Sequence, residues 1–164
     1  MIVRLLLLTF LLVGCGYKPI SHYTKEALGE RIFIELKVDA RDPQNSVELK
    51  DALSRAIFSQ FQSKITDKES ADSIIKVKLD SVSFSALAEN TTGFATSYRC
   101  SVVVEFEYFN KLTQKTRTFL KKGYYNFYLN DSSVITDSAR LDAINKALLQ
   151  AIDGFISQVG VDTQ

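Results

Sequence analysis

Phe94-Ala95-Thr96-Ser97-Tyr98-Arg99-Cys100-Ser101-Val102-Val103-Val104-Glu105-Phe106-Glu107-Tyr108-Phe109 is the stretch that decides the fold. Side chains along a strand alternate between two faces with a period of two. Tyr98, Cys100, Val102, Val104, Phe106 and Tyr108 therefore share one apolar face. Arg99, Ser101, Val103, Glu105 and Glu107 share the other, which is too polar for a core and suits a wet surface or a partner interface. A helix period of 3.6 would scatter both sets. The stretch reads as one long strand of a sheet that is covered on one side.

Working outward, polar turns flank this strand. Glu89-Asn90-Thr91-Thr92-Gly93 precedes it, with Gly93 suited to a positive φ. Asn110 to Lys115 follows it, so both neighbouring strands are predicted to pair with it as hairpins. The preceding strand runs from Ile74 to about Ala88 and changes register. Ile75, Val77 and Leu79 share a face, but strict alternation sends Val82, Phe84 and Ala86 to the other. A β-bulge near Asp80-Ser81 would return them to the same side. The alternative is a long strand whose halves cover different surfaces; the bulge is preferred. The following strand, Thr116 to about Leu129, carries Phe119, Tyr125 and Phe127 on one face and Leu120, Tyr124 and Tyr128 on the other. Such a strand is either central or covered by a partner.

Helical spacing appears twice. Leu49, Ala52, Leu53, Ala56, Ile57 and Phe61 lie three and four apart, so a helix capped by Asn45 or Ser46 is expected to run to about Ser63. Leu141, Ile144, Leu148, Ala151, Ile152, Phe155 and Ile156 make a second stripe from about Asp137 to Val159, and Gly160 is placed to end it. Before the first helix, Arg31 to Val38 reads as a strand and Asp39 to Asn45 as a turn cluster. The predicted order is β-α-β-β-β-α. The expected fold is α+β: a two-layer sandwich with a four-stranded mixed sheet and both helices on one face. Its first two strands should be parallel, because a helix joins them.

The N-terminus carries a different message. Arg4 precedes an apolar run from Leu5 to Val13, followed by Gly14 and Cys15. The run is far shorter than the roughly 20 residues that span a bilayer. Gly16-Tyr17-Lys18-Pro19 then break any helix. One charge, a short apolar core and a small residue before cysteine make a secretory signal that resembles a bacterial lipobox. Residues 1–14 are expected to be the signal, with Cys15 acylated at the mature start. Residues 15–30 would be a leash and residues 31–164 a single domain. Gly16 in place of an aspartate favours the outer membrane, on its periplasmic side.

Composition narrows the function. The sequence holds 20 Lys and Arg against 19 Asp and Glu, and removal of Arg4 brings the two level. A neutral chain without a basic block argues against nucleic acid as a partner. With Cys15 acylated, Cys100 has no partner for an intramolecular disulfide. Cys100 lies mid-strand on an apolar face, where a thiol is packing. The one histidine, His22, lies in the leash without the cysteines or carboxylates that a metal site needs. Phosphate loops, nucleophile elbows and paired metal motifs are absent from the sequence. The chain reads as a non-enzyme with no cofactor and no metal. What remains is Lys121 and Lys122 on the aromatic strand, and Arg99 across from the Cys100 face. Cations beside aromatic rings could grip an amphiphile that carries phosphates; an ordinary solvated sheet face is the competing reading.

Cys15-Gly16-Tyr17 at the mature start, the β-α-β-β-β-α order, Gly93 and Tyr98 around the turn between the second and third strands, and the aromatic strand before an acidic-start last helix resemble the LptE family of lipopolysaccharide-assembly lipoproteins. That resemblance implies a lipid-anchored plug in the lipopolysaccharide-translocating β-barrel, LptD. It also implies help in barrel assembly and direct contact with lipopolysaccharide. Family members carry a basic residue just before the loop glycine, where this chain has Glu89-Asn90-Thr91-Thr92. A lysine on the fourth strand matches better, at Lys121 or Lys122. Two other readings stay open: a lipoprotein that activates another envelope machine such as a cell-wall synthase, and a carrier with a pocket for small amphiphiles.

Overall fold

The structure is a computed structural model and describes residues 28–37, 51, 54, 55, 59, 64–129 and 134–161. Its elements are strands β1 (Arg31–Lys37), β2 (Lys64–Ile65), β3 (Ser73–Glu89), β4 (Ala95–Asn110) and β5 (Lys115–Tyr128), then helix α1 (Asp137–Val161). They form one sheet in the order β2-β1-β3-β4-β5. The β1 strand pairs in parallel with both β2 and β3, while β3, β4 and β5 make an antiparallel meander.

The α+β class, the parallel first pair and the meander are as predicted, but the details differ. The sheet has five strands rather than four. The extra one, β2, pairs through only Lys64 and Ile65, too short a segment to leave an alternating pattern. Of the first predicted helix, only Asp51, Ser54, Arg55 and Ser59 are described, and each is helical. The rest of that helix, the signal, Cys15 and His22 lie outside the described residues. Gly160 does not end α1; it is buried inside a helix that continues to Val161. Thr136 caps the helix just before Asp137: its hydroxyl accepts the Ala139 N–H at 3.3 Å.

The bulge sits where the hydrophobic pattern changes phase. Leu79 pairs with Val104 and Ser81 with Val103, so Asp80 is the additional residue. Beyond it Val82, Phe84 and Ala86 face the same side as Val77, opposite Val102, Cys100 and Tyr98. If Asp80 were kept in strict alternation instead of bulging, the second half of β3 would turn Phe84 to water.

On the apolar face α1 packs across β4 and β5. Phe155 stacks on Phe106 with ring centroids 4.3 Å apart and meets Phe119 edge-on at 5.6 Å. Ala143, Ala147 and Ala151 are fully buried, and their small size lets the helix backbone approach the sheet at Gly123. Three polar links tie the helix to β5: Lys146 to the Tyr125 hydroxyl (3.0 Å), Gln150 to the Tyr124 N–H, and Lys121 to Gln158. Leu28, at the end of the segment read as a leash, is fully buried in this core. The next turn is pinned by Asp72, whose carboxylate accepts both the backbone N–H and the guanidinium of Arg31 at 2.9 Å.

The aromatic strand β5 is an edge strand, not a central one. Its helix-side residues Phe119 and Phe127 are buried. Its other face leaves Leu120, Tyr124 and Tyr128 between 45% and 80% exposed, and no described element covers it.

Candidate functional site

The strand register separates the three predicted cationic residues. Lys121 pairs with Val104, and Lys122 with Val103. Adjacent strand residues point to opposite faces, so the two lysines cannot act on one ligand. Lys121 lies on the helix side, where its ammonium donates to Gln158 and its stem runs past Gly154. It serves the joint between helix and sheet. Lys122 lies on the open face together with Arg99.

Arg99 is held in a defined pose. It is registered with Asn126 on β5, and its Nε donates to Asn126 Oδ1 at 2.9 Å. Its guanidinium carbon lies 5.8 Å from the centroid of the Tyr124 ring. A guanidinium presents five N–H donors, and among the described residues only Nε makes a hydrogen bond. Among the described residues neither Arg99 nor Lys122 has a carboxylate partner.

The rest of the open face divides into two halves. Toward the β4–β5 turn it is charge-paired: Lys76 bridges Glu107 at 2.6 Å and Lys78 lies 3.5 Å from Asp80. The hydrogen bond between Lys76 and Glu107 pushes the lysine up and the carboxyl down from their ordinary ranges. Lys76, Glu107, Lys68, Ile74, Phe109 and Thr116 line a shallow pocket of about 240 Å³ there. Toward the β3–β4 hairpin the face is hydroxylic instead. Ser81, Ser83 and Ser85 of β3 are exposed and pair with Val103, Ser101 and Arg99 of β4. These pair in turn with Lys122, Tyr124 and Asn126 of β5. Short side chains on β3 and β4 thus form a floor, and the larger β5 residues stand along one side.

The hairpin that ends this half is rigidly built. Asn90 Oδ1 accepts from the Thr92 N–H, the Thr92 hydroxyl and the Phe94 N–H at 2.7–3.0 Å. Gly93 takes φ 82°, as its sequence position predicted. The basic residue that the family resemblance expects at this loop is absent; the nearest cation along β4 is Arg99.

Cys100 is fully buried on the opposite face, and burial pushes its thiol up to about 11. It has the environment of a packing residue. Among the described residues no cluster of His, Cys, Asp and Glu could hold a metal ion, and no helix is long and apolar enough to cross a membrane. The space between α1 and the sheet is filled by Phe106, Phe155, Leu148 and Ile152. Sequence reasoning passed over Asn126 and the β3 serines. Their relevance comes from register across strands, which a single strand's pattern does not carry.

A family model described as LptE, lipopolysaccharide-assembly, matches residues 34–159. No curated protein matches the chain. Among solved structures, the chain is similar to the rare lipoprotein B from Shewanella oneidensis: 18% identity, TM-score 0.53, covering 81% of this chain and 95% of that one. It is also similar to an uncharacterized lipoprotein B from Nitrosomonas europaea, with 16% identity and TM-score 0.48, covering 82% and 84%. The first of these likenesses is one of fold.

Proposed function

Because the chain belongs to the LptE family of lipopolysaccharide-assembly proteins, we propose that it is an outer-membrane lipoprotein anchored through Cys15. In this reading it partners the lipopolysaccharide-translocating β-barrel of the LptD kind, helps that barrel assemble, and contacts lipopolysaccharide through Arg99 and Lys122. The role is non-catalytic. The single observation that carries the reading is the family match across nearly the whole described domain. The open face adds physical support. It holds two cations without carboxylate partners among the described residues, and charge-assisted bonds to phosphate are the strong ones.

An affinity pull-down of the full-length lipidated protein from outer membranes in mild detergent tests this. A stoichiometric large β-barrel should be recovered, and depletion of the protein should reduce surface lipopolysaccharide. Recovery of a cell-wall synthase, or of no partner, would overturn the reading.

A further inference from the structure

The two ends of the sheet differ in charge and in their distance from the anchor. The described chain enters at the end formed by the β4–β5 turn and the turn before β3. Gly29 lies against Asp72, where an added Cβ would stand 2.7 Å from the Asp72 Cβ, and the Asp72 carbonyl accepts the Lys111 N–H at 3.0 Å. The β3–β4 hairpin is at the other end of β4, whose 16 residues extend about 50 Å at strand rise. The chain from Cys15 to Leu28 reaches about 45 Å at full stretch. Such a leash is shorter than the domain, so with the strands upright only the turn end meets the leaflet that holds the anchor.

This end presents one leucine on a fixed turn. Asn110 Oδ1 accepts the Leu112 and Thr113 N–H groups at 2.9 and 3.0 Å. Gln114, at φ 55°, donates its side-chain amide to the Lys111 carbonyl at 2.7 Å. The Lys111 ammonium donates to the Lys68 and Glu69 carbonyls and ties the two turns together. Leu112 stands out from this frame, 87% exposed. A side chain on a turn already ordered enters an apolar phase without further loss of backbone freedom. The same end carries Lys64, Lys68, Lys111, Lys115 and Arg117 against Glu30, Asp67 and Glu69, while Arg31 and Asp72 neutralise each other. Among the described residues no carboxylate pairs with Lys64, Lys68 or Lys115. The hairpin end also exposes apolar side chains, Leu87 and Phe94, but it has Glu89 and no Lys or Arg between Leu79 and Tyr98.

We propose that the turn end docks on an anionic phospholipid leaflet, with Leu112 below the headgroups and the surrounding cations against lipid phosphates. The inference rests on acylation of Cys15 and adds an orientation. An anchor alone leaves the domain to tumble on its leash; this contact fixes which end faces the lipid and directs the hairpin away from it.

The test uses the full-length lipidated protein in vesicles of phosphatidylethanolamine and phosphatidylglycerol with brominated acyl chains. With Cys15 acylated and Cys100 buried, a bimane label goes to one introduced cysteine, Thr113→Cys beside Leu112 or Thr91→Cys at the hairpin. Bromine should quench the label at position 113 and leave the label at position 91 bright. In the Thr113→Cys background, Leu112→Ser should lower the docked-to-undocked ratio at least about tenfold. Lys115→Gln should lower it about fivefold. Replacing phosphatidylglycerol by phosphatidylcholine, or raising the salt, should weaken the quenching. Equal quenching at the two positions, or quenching at position 113 that ignores both substitutions, would overturn the docking. The mass of the mature N-terminal peptide separates this outcome from failure of the anchor. Acylated Cys15 with no quenching at position 113 removes the docking alone. Unmodified Cys15, with the protein left in solution, removes the anchor and the docking together.

Discussion

Gly123 of β5 and Ala147 of α1 meet backbone to backbone: a Cβ added at Gly123 would stand 1.9 Å from the Ala147 carbonyl oxygen. Neither atom belongs to a flexible side chain, so the helix itself would have to move. This approach sets how closely α1 lies on β5.

Gly123→Ala should therefore destabilise the domain by about 2 kcal/mol or more, toward the upper part of the overpacking range. Gly154, on the same helix, gives the contrast. A Cβ there meets only the Lys121 stem, at 3.8 Å. Gly154→Ala should be neutral or stabilising by up to about 1 kcal/mol, since it removes backbone freedom from the unfolded chain. Urea unfolding of the two variants checks the pair, and an unchanged midpoint for Gly123→Ala would refute the close approach.

Phe155 sits between Phe106 and Phe119 with no solvent exposure. Phe155→Ala should cost about 3–5 kcal/mol, the range for a large buried aromatic. Phe155→Leu keeps most of the volume and should cost clearly less. Equal losses from the two would show that the site collapses around any substitution.

Acid should weaken the ion pairs that tie the sheet together. The Arg31 hydrogen bonds hold the Asp72 carboxyl below its usual range, and Lys76 does the same for Glu107. A carboxyl lowered in the folded state stabilises above its unfolded value, near pH 4, and loses that contribution as pH falls through the folded value. Asp72→Asn should be less stable than the parent at pH 7, and the two should converge toward pH 2. Burial shifts Asp153 the other way, so its ionisation above about pH 4 opposes folding and Asp153→Asn should gain stability at pH 7. Unfolding midpoints measured across pH 2–7 separate the two signs.

Cys100 gives a direct probe of how firmly the layers hold. Its thiol is fully buried and raised to about 11, so it should resist a maleimide in native buffer and react only as the protein unfolds. The labelling rate should rise with urea in step with global unfolding. Fast labelling without denaturant would mean that α1 lifts from the sheet far more easily than its packing implies.

Much of this was legible in the sequence because it was local. The period-two pattern of Tyr98 to Tyr108 fixed β4, and the break between Leu79 and Val82 announced the bulge. The stripe from Leu141 to Ile156 gave α1. Long-range pairing was less visible. The two residues of β2 carry no pattern, and the aromatic richness of β5 left a central strand and a partner-covered one both open, of which the topology excludes the first. Gly160 looked like a stop, but the helix includes it and runs to Val161. At the candidate site, the parity of Phe119 and Leu120 already assigned Lys121 and Lys122 to opposite faces. Composition alone grouped them. Asn126 became part of the site only through its register with Arg99.

The extra residue at Asp80 sets a rule for how this chain can change in length. It acts as a phase shift between two stretches of an alternating code. Removing Asp80 would leave Leu79, Val82 and Phe84 two apart, a regular strand with the same inward set, whereas removing one residue between Val82 and Ala86 would turn inward residues outward. Loss of Asp80 should therefore be tolerated better than loss of any single residue of the alternating stretch that follows it.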